Sequence, residues 1–321
     1  MAKNKKELLS VIVPCYNEEE ALPLFYEETV KVLNTLEDVD YEIIFVDDGS
    51  KDKTIDKMMN LSREDKNVKY FSFSRNFGKE SAMYAGLYNA DGDYVVIMDA
   101  DLQHPPVMIA EMLNAVKYGE YDVAAARRVT RDGDNKITTF FARTFYKIIN
   151  SISEVEMMDG AGDFRLMRRN VVDAILSMSE YYRFSKGIFS WVGYKTYWIE
   201  YENVDRVAGT TSWSFMGLLK YAIDGIMNFS LAPLNMCTIM GVILMISSFV
   251  YLLFIVVKYA IYGDPVAGWP TLMCVILILG GIVLLNLGII GQYVGKTYME
   301  SKGRPHYIIS KTNDKDAKKV K

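Results

Sequence analysis

Up to residue 126 the chain alternates short apolar runs with longer stretches whose apolar positions recur at helical spacing. The short runs are rich in Val, Ile and Phe and predict strands at 9–14, 41–46, 68–73, 94–98 and 122–126. The stretches between them predict helices at 19–36, 52–64, 79–90 and 105–118, the last opened by Pro105-Pro106, which suits a first helical turn. Strand and helix in strict alternation predict an α/β domain, a parallel sheet covered by helices.

The second half reads differently. No charged residue occurs between Asp224 and Lys258, or between Asp264 and Lys296. The apolar blocks 233–257 and 271–294 each exceed the roughly 20 residues that cross a bilayer, so a two-helix transmembrane hairpin is expected. Buried core helices are the alternative. After Val294 the tail is dominated by lysines, whereas the connection 259–270 contains no Lys or Arg. The positive-inside rule then places the tail, and with it the N-terminal bulk, in the cytoplasm. The expectation is a multi-pass protein of the cell membrane with both termini cytoplasmic. The basic start at Met1–Lys6 leads into a strand, not a signal peptide. The cysteines are three, with two of them in the apolar blocks, so no disulfide framework is expected.

Two further segments, 137–149 and 213–230, combine aromatic residues with isolated charges, a pattern that suits helices lying in the headgroup plane. Packing on the sheet is the alternative for both. The expected organisation is a catalytic domain at 1–212, an interfacial helix at 213–230, the membrane hairpin at 231–295 and a basic cytoplasmic tail at 296–321.

Candidate chemistry begins at Asp99-Ala100-Asp101, which closes the fourth strand, and at Asp47-Asp48-Gly49-Ser50, which closes the second. Open α/β sheets bind ligands at the carboxyl ends of their strands. Paired carboxylates there suit a hard cation, Mg²⁺ or Mn²⁺, held together with a substrate diphosphate. An acidic solvated turn is the alternative.

Motifs along nearly the whole chain resemble the inverting glycosyltransferases of family 2, with the GT-A nucleotide-sugar fold. They run from Ser10-Val11-Ile12-Val13-Pro14-Cys15-Tyr16-Asn17-Glu18 through Asp47-Asp48-Gly49-Ser50 to Asp99-Ala100-Asp101-Leu102-Gln103-His104-Pro105-Pro106. Arg183-Phe184-Ser185-Lys186-Gly187, Trp191-Val192-Gly193-Tyr194, the loop from Arg206 to Trp213 and Gly303-Arg304-Pro305-His306-Tyr307 narrow the resemblance to the polyprenyl-phosphate glycosyltransferases, related to dolichol-phosphate mannose synthase.

The resemblance implies that Pro14, Tyr16, Glu18, Asp48, Asn76, Lys79 and Asp99 serve the nucleotide, and that Asp99, Asp101 and Gln103 serve the metal. It implies catalytic roles for Asp101, Asp163, Arg128, Arg131, Arg206 and Lys186. A phosphate acceptor is already a nucleophile near neutral pH, since the second pKa of a phosphate monoester is about 6. Such an acceptor needs cations to hold two phosphates together, which guanidinium groups do bidentately. Arg128 and Arg131 are expected just past the last sheet strand. A solvated charge run is the alternative for these arginines, a solvated helix start for Lys79, and a helix N-cap for Asp163.

The chain departs from the family at Thr210-Thr211-Ser212-Trp213, where relatives carry Glu-Ser-Lys-Tyr, and at Gln292, where Glu is common. Gly281, Gly288 and Gly295 recur every seven residues, which favours close helix packing and a homo-oligomer. The implied reaction moves a hexose from a nucleotide sugar, UDP-glucose or UDP-N-acetylglucosamine, to undecaprenyl phosphate. A flippase and a downstream glycosyltransferase are its implied pathway partners, and no nucleic acid is involved. GDP-mannose with dolichyl phosphate, or a non-catalytic membrane scaffold, are the rival readings.

Overall fold

In a computed structural model, residues 6–128, 144, 146–147, 149–153, 155–201, 223–262 and 268–318 are described. The apolar runs form β1 (Glu7–Cys15), β2 (Val39–Asp47), β3 (Val68–Phe73) and β4 (Tyr94–Ile97). Between and after them lie α1 (Ala21–Leu33), α2 (Thr54–Glu64), α3 (Lys79–Asn89) and α4 (Met108–Lys117). The chain continues through β5 (Val123–Arg128), β6 (Ala161–Arg168), α5 (Arg169–Ser177), α6 (Ser185–Trp191) and β7 (Thr196–Tyr201). It ends with α7 (Ala232–Tyr262), α8 (Trp269–Ser301) and β8 (Ile309–Thr312).

Among the described residues the strands form one sheet in the order β7-β5-β6-β4-β1-β2-β3-β8. The block β4-β1-β2-β3 is parallel, as the alternation predicts, but β6 runs antiparallel to both β4 and β5, and β8 antiparallel to β3. The sheet is therefore mixed. Residues 161–168 hide their strand character because β6 is half polar. Phe164 and Leu166 enter one core face, while Asp163 and Arg165 share the other with Met167. Arg128 ends β5, but β5 is not the last strand: three more follow it, which corrects that placement.

Side chains of period two divide the core between the two faces of the sheet. Leu9, Val11 and Val13 of β1 join Phe25, Phe45, Met58 and Ile109 beneath α1, α2 and α4. Ile12 joins Ile44, Phe71, Ala82 and Ile188 beneath α3, α5 and α6. Each buried Leu, Ile or Phe contributes about 1.5–3 kcal/mol relative to exposure. At Gly86 helix α3 lies directly on β1, where a Cβ would collide with Ile12. Gly86→Ala therefore requires Ile12 or the helix to shift.

Helices α7 and α8 span 31 and 33 residues, longer than the apolar blocks alone predict. Both are long and apolar enough to cross a membrane, and their apolar windows bury 6% and 0% of their residues inside the protein. Such surface needs a non-aqueous surrounding. Their feet are tied together: Tyr293 Oη donates to the Ser230 carbonyl at 2.9 Å, and Lys296 Nζ pairs with Asp224 at 3.2 Å and donates to Asn228 at 2.7 Å.

The tail is more than a solvated basic segment. It returns to the sheet as β8, where Ser74 N donates to the Ile308 carbonyl and the Asn313 side chain brackets β3 through Tyr70 N and the Val68 carbonyl, each at 2.9 Å. Tyr307 is buried and stacks on Phe73 with centroids 4.9 Å apart. Of the two expected interfacial helices, residues 223–229 are helical, and so are 144, 146–147 and 149–150, with Ile149 buried against Met157 and Phe184. The remainder of both segments lies outside the described residues.

Candidate active site

The carboxyl ends of β1, β2, β3 and β4 meet along one edge, and short side chains lash their loops together. Asn17, with φ 56°, turns β1 toward α1; its N–H donates to Ser50 Oγ and its Oδ1 accepts from Lys51 N, both at 2.9 Å. Glu18 N donates to Thr54 Oγ1 at 2.8 Å. Gly49 has φ 71°, and a Cβ there would come within 2.5 Å of the Arg75 carbonyl carbon, so only glycine lets the loop after β3 approach this closely. Asp48 then anchors that loop, accepting from Phe77 N at 2.6 Å and Gly78 N at 2.9 Å. Burial pushes its carboxyl up to about 6 against these two bonds. Asp48 thus holds the loop carrying Asn76 and leading to Lys79; Asn76 and Tyr16 are exposed on this edge, and Pro14 is buried opposite Val46.

The centre of the edge is an ion-pair bridge. Antiparallel pairing sets Ile97 opposite Arg165, so the same register carried two residues on brings Asp99 beside Asp163. Lys79, the first residue of α3, reaches between them, with Nζ 2.7 Å from Asp99 Oδ1 and 2.8 Å from Asp163 Oδ2. Burial would raise the Asp163 carboxyl, but the ammonium of Lys79, helped by Lys186 and Arg165, holds it well below the usual carboxylate range. Burial likewise opposes the charge on Lys79, and the two carboxylates override it. Asp163 lies within β6, so it is not a helix N-cap.

On the other side of Asp99, Leu102 (φ 57°) tightens the turn and Gln103 N donates to Asp101 Oδ1 at 3.1 Å. His104 packs between the rings of Phe164 and Tyr201, at 5.1 and 5.3 Å, and burial pulls its imidazole below its ordinary value despite Asp99 and Asp101. Its Nδ1 is buried without a hydrogen-bond partner among the described residues. Arg128 lies close enough to Tyr201 to oppose the upward push of burial on that phenol. Lys186 and Arg165 line a neighbouring cavity of about 300 Å³ with Phe189, Tyr194 and Trp198. Arg131 and Arg206 lie outside the described residues.

Among the described residues no three His, Cys, Asp or Glu side chains form a closed metal cage. A magnesium-type ion needs none, since it takes one or two carboxylates and fills its shell with water and phosphate oxygens. Asp101, Asp99 and the Gln103 amide are hard oxygen donors of that kind, and the orphaned His104 nitrogen adds a polar group with no other partner. The residues fit a divalent cation. His104 is missing from the sequence-based set; its position directly after Asp-Leu-Gln was the available signal.

Comparison with known proteins places the chain in a family. The glycosyl transferase family 2 profile matches residues 10–176. The prophage bactoprenol glucosyl transferase homolog of Escherichia coli (strain K12) is 41% identical over 303 residues, covering 94% of this chain and 98% of that one. The bactoprenol glucosyl transferase of Shigella phage SfV is 41% identical over 307 residues, covering 96% and 99%. Among solved structures, glucosyl-3-phosphoglycerate synthase from Mycobacterium tuberculosis in complex with Mn²⁺, UDP-glucose and phosphoglyceric acid is 18% identical, with a TM-score of 0.45 over 69% of this chain and 78% of that one. The chain belongs to glycosyl transferase family 2.

Proposed function

We propose that the protein is an inverting hexosyltransferase that moves a sugar from a UDP-sugar, glucose or N-acetylglucosamine, onto undecaprenyl phosphate at the cytoplasmic leaflet. One observation carries the reading. The carboxylate placed where a base would serve a hydroxyl acceptor, Asp163, is locked as an anion by Lys79 at 2.8 Å. A phosphate acceptor needs no deprotonation near neutral pH, because its second pKa is about 6. The apolar helices and the relatives named bactoprenol glucosyl transferases supply the membrane and the lipid. The lysine-rich tail supports a cytoplasmic site.

In this reading a phosphate oxygen attacks the anomeric carbon from the face opposite the nucleotide. The new C–O bond forms as the bond to the diphosphate breaks, and the leaving nucleotide keeps the electron pair. Asp99, Asp101 and Gln103 would hold a divalent cation, which neutralises charge growing on the diphosphate. Lys79 adds fixed positive charge, and Asp163 orients the sugar through its anchored carboxylate. Lys186, with Arg128, Arg131 and Arg206, screens the repulsion between acceptor phosphate and donor.

Purified protein in detergent with Mg²⁺ tests this. UDP-glucose, UDP-N-acetylglucosamine and GDP-mannose are offered separately, with and without undecaprenyl phosphate, beside an Asp101→Ala control. Lipid-dependent nucleotide release with a UDP-sugar, lost in the control, is the expected result. Release with GDP-mannose alone moves the donor assignment. No lipid-dependent release from folded protein leaves the scaffold reading in its place.

A further inference from the structure

Helix α6 is seven residues long, from Ser185, and its N-cap position is Phe184, whose side chain cannot cap it. Its first amides need acceptors from elsewhere. Glu80, in the first turn of α3, supplies one: its carboxylate accepts from Ser185 N at 3.1 Å and from the Ser185 hydroxyl. Glu80 is adjacent in sequence to Lys79, so one helical turn holds the Asp99–Lys79–Asp163 bridge with one residue and the start of α6 with the next. Lys186 follows Ser185 directly and lines a cavity with Ala161 and Arg165 of β6, the strand that carries Asp163, and its charge helps lower that carboxyl. The apolar side of the same helix start is fixed too. Phe184 packs on Phe229 at 5.9 Å, and Gly187 abuts that ring so closely that a Cβ would collide with it. Residue 229 ends the short helix that leads into α7. Helix α6 is therefore held between the donor edge and the foot of the membrane hairpin.

We infer that Glu80 is a positioning residue that caps α6 and thereby sets Lys186 beside Asp163, where it captures the acceptor phosphate. The inference rests on the transfer reading above. A buried carboxylate that only stabilised the fold would affect both substrates alike; one acting through Lys186 affects the lipid alone.

The test is a kinetic cycle on the full-length protein in detergent, after lipid-dependent turnover of the wild type is in hand, using Glu80→Ala, Glu80→Gln, Ser185→Ala, Lys186→Ala and the Glu80→Ala/Lys186→Ala pair. Losing the buried acceptor is expected to lower kcat/KM for undecaprenyl phosphate roughly 10- to 100-fold, with the donor KM within about twofold. Glu80→Gln, whose amide oxygen still accepts from Ser185, recovers most of that loss, and Ser185→Ala shows the same pattern more weakly. In the double variant the losses do not multiply, because one residue acts through the other. Multiplying losses, or equal losses for donor and lipid, overturn the inference. Should Glu80→Ala not fold, by melting in detergent, Ser185→Ala decides alone: a folded variant with an unaltered lipid term also overturns it. A folded wild type without lipid-dependent turnover overturns the transfer reading itself, a different outcome from an active wild type with multiplying losses.

Discussion

Lys79 and Asp163 lie 84 residues apart in sequence and meet at 2.8 Å, with Asp99 on the other side of the same ammonium. Removing the lysine leaves two neighbouring carboxylates, one of them buried, without their counter-charge. The bridge is partly open to solvent, with the Lys79 side chain 39% exposed, so breaking it costs less than the roughly 3–5 kcal/mol of a fully buried pair. Lys79→Ala is expected to lower kcat/KM about 10- to 100-fold. It also creates a pH effect. In the wild type the depressed Asp163 carboxyl stays ionised through the neutral range, and the stability from its ion pair is present above the unfolded pKa of about 4 and lost as the pH falls through the lower folded value. Without Lys79 burial dominates, the carboxyl moves upward, and an acid limb enters the pH–rate profile. A variant profile parallel to the wild type counts against the bridge.

Two other carboxyls move the opposite way. Burial raises Glu80 to about 7, with Asp163 adding to the push and Ser185 and Arg183 opposing it. Asp48 stands at about 6, raised first by burial, with Asp47 adding and the Phe77 and Gly78 amides and Arg75 opposing. An acid whose folded pKa exceeds its unfolded value binds its proton more tightly when folded. These two groups therefore add stability as the pH falls through about 7 and about 6 toward the unfolded carboxyl values near 4. Melting in detergent across pH 8 to 5 is expected to show this rise, at about the unfolded-to-folded window these values define. Glu80→Gln removes its upper portion and Asp48→Asn its lower portion; an unchanged slope in both variants refutes the assignment.

The metal assignment predicts a coupling. Chelating divalent ions lowers the affinity of wild-type protein for UDP, because Asp101, Asp99 and Gln103 then no longer share a cation with the diphosphate. In Asp101→Ala the nucleotide binds weakly whether or not Mg²⁺ is present, and turnover falls about 100-fold or more. Calorimetry with and without chelator reads both states. Equal magnesium dependence in wild type and variant would place the ion elsewhere.

Tyr307 makes a stability prediction outside the site. Its buried ring stacks on Phe73 and its hydroxyl meets Asn89. Tyr307→Ala opens a cavity and is expected to cost about 3–5 kcal/mol, visible as a lower melting temperature of the catalytic domain. An unshifted melt would mean that the tail contributes nothing to the sheet.

Much of this was legible in the sequence because local pattern and global fold agree there. β1 to β4 are buried on both faces over most of their length, so they read as largely apolar runs, and acidic residues at the ends of β2 and β4 lie on the candidate edge. β6 was hidden for a physical reason: Phe164 and Leu166 fill one core face, while Asp163 and Arg165 share the other with Met167, so alternate residues read as a polar loop. β8 was hidden because an edge strand is protected by charge, and Lys311 and Lys315 look like solvated tail. The motifs named Asp99, Asp101 and Lys79, but no local pattern announces that Lys79 bridges two carboxylates. That follows from the antiparallel register of β4 and β6. Glu80 was equally silent, since its partner lies 105 residues away.

The eighth strand also sets an order of manufacture. Asn313 closes a hydrogen bond to the Val68 carbonyl across 245 residues, and both long apolar helices lie between them. The edge of β3 therefore stays open until residues 309–313 have been synthesised, after both apolar helices have already been made. A nascent sheet that lacks β8 keeps an unpaired strand edge and is prone to associate through it.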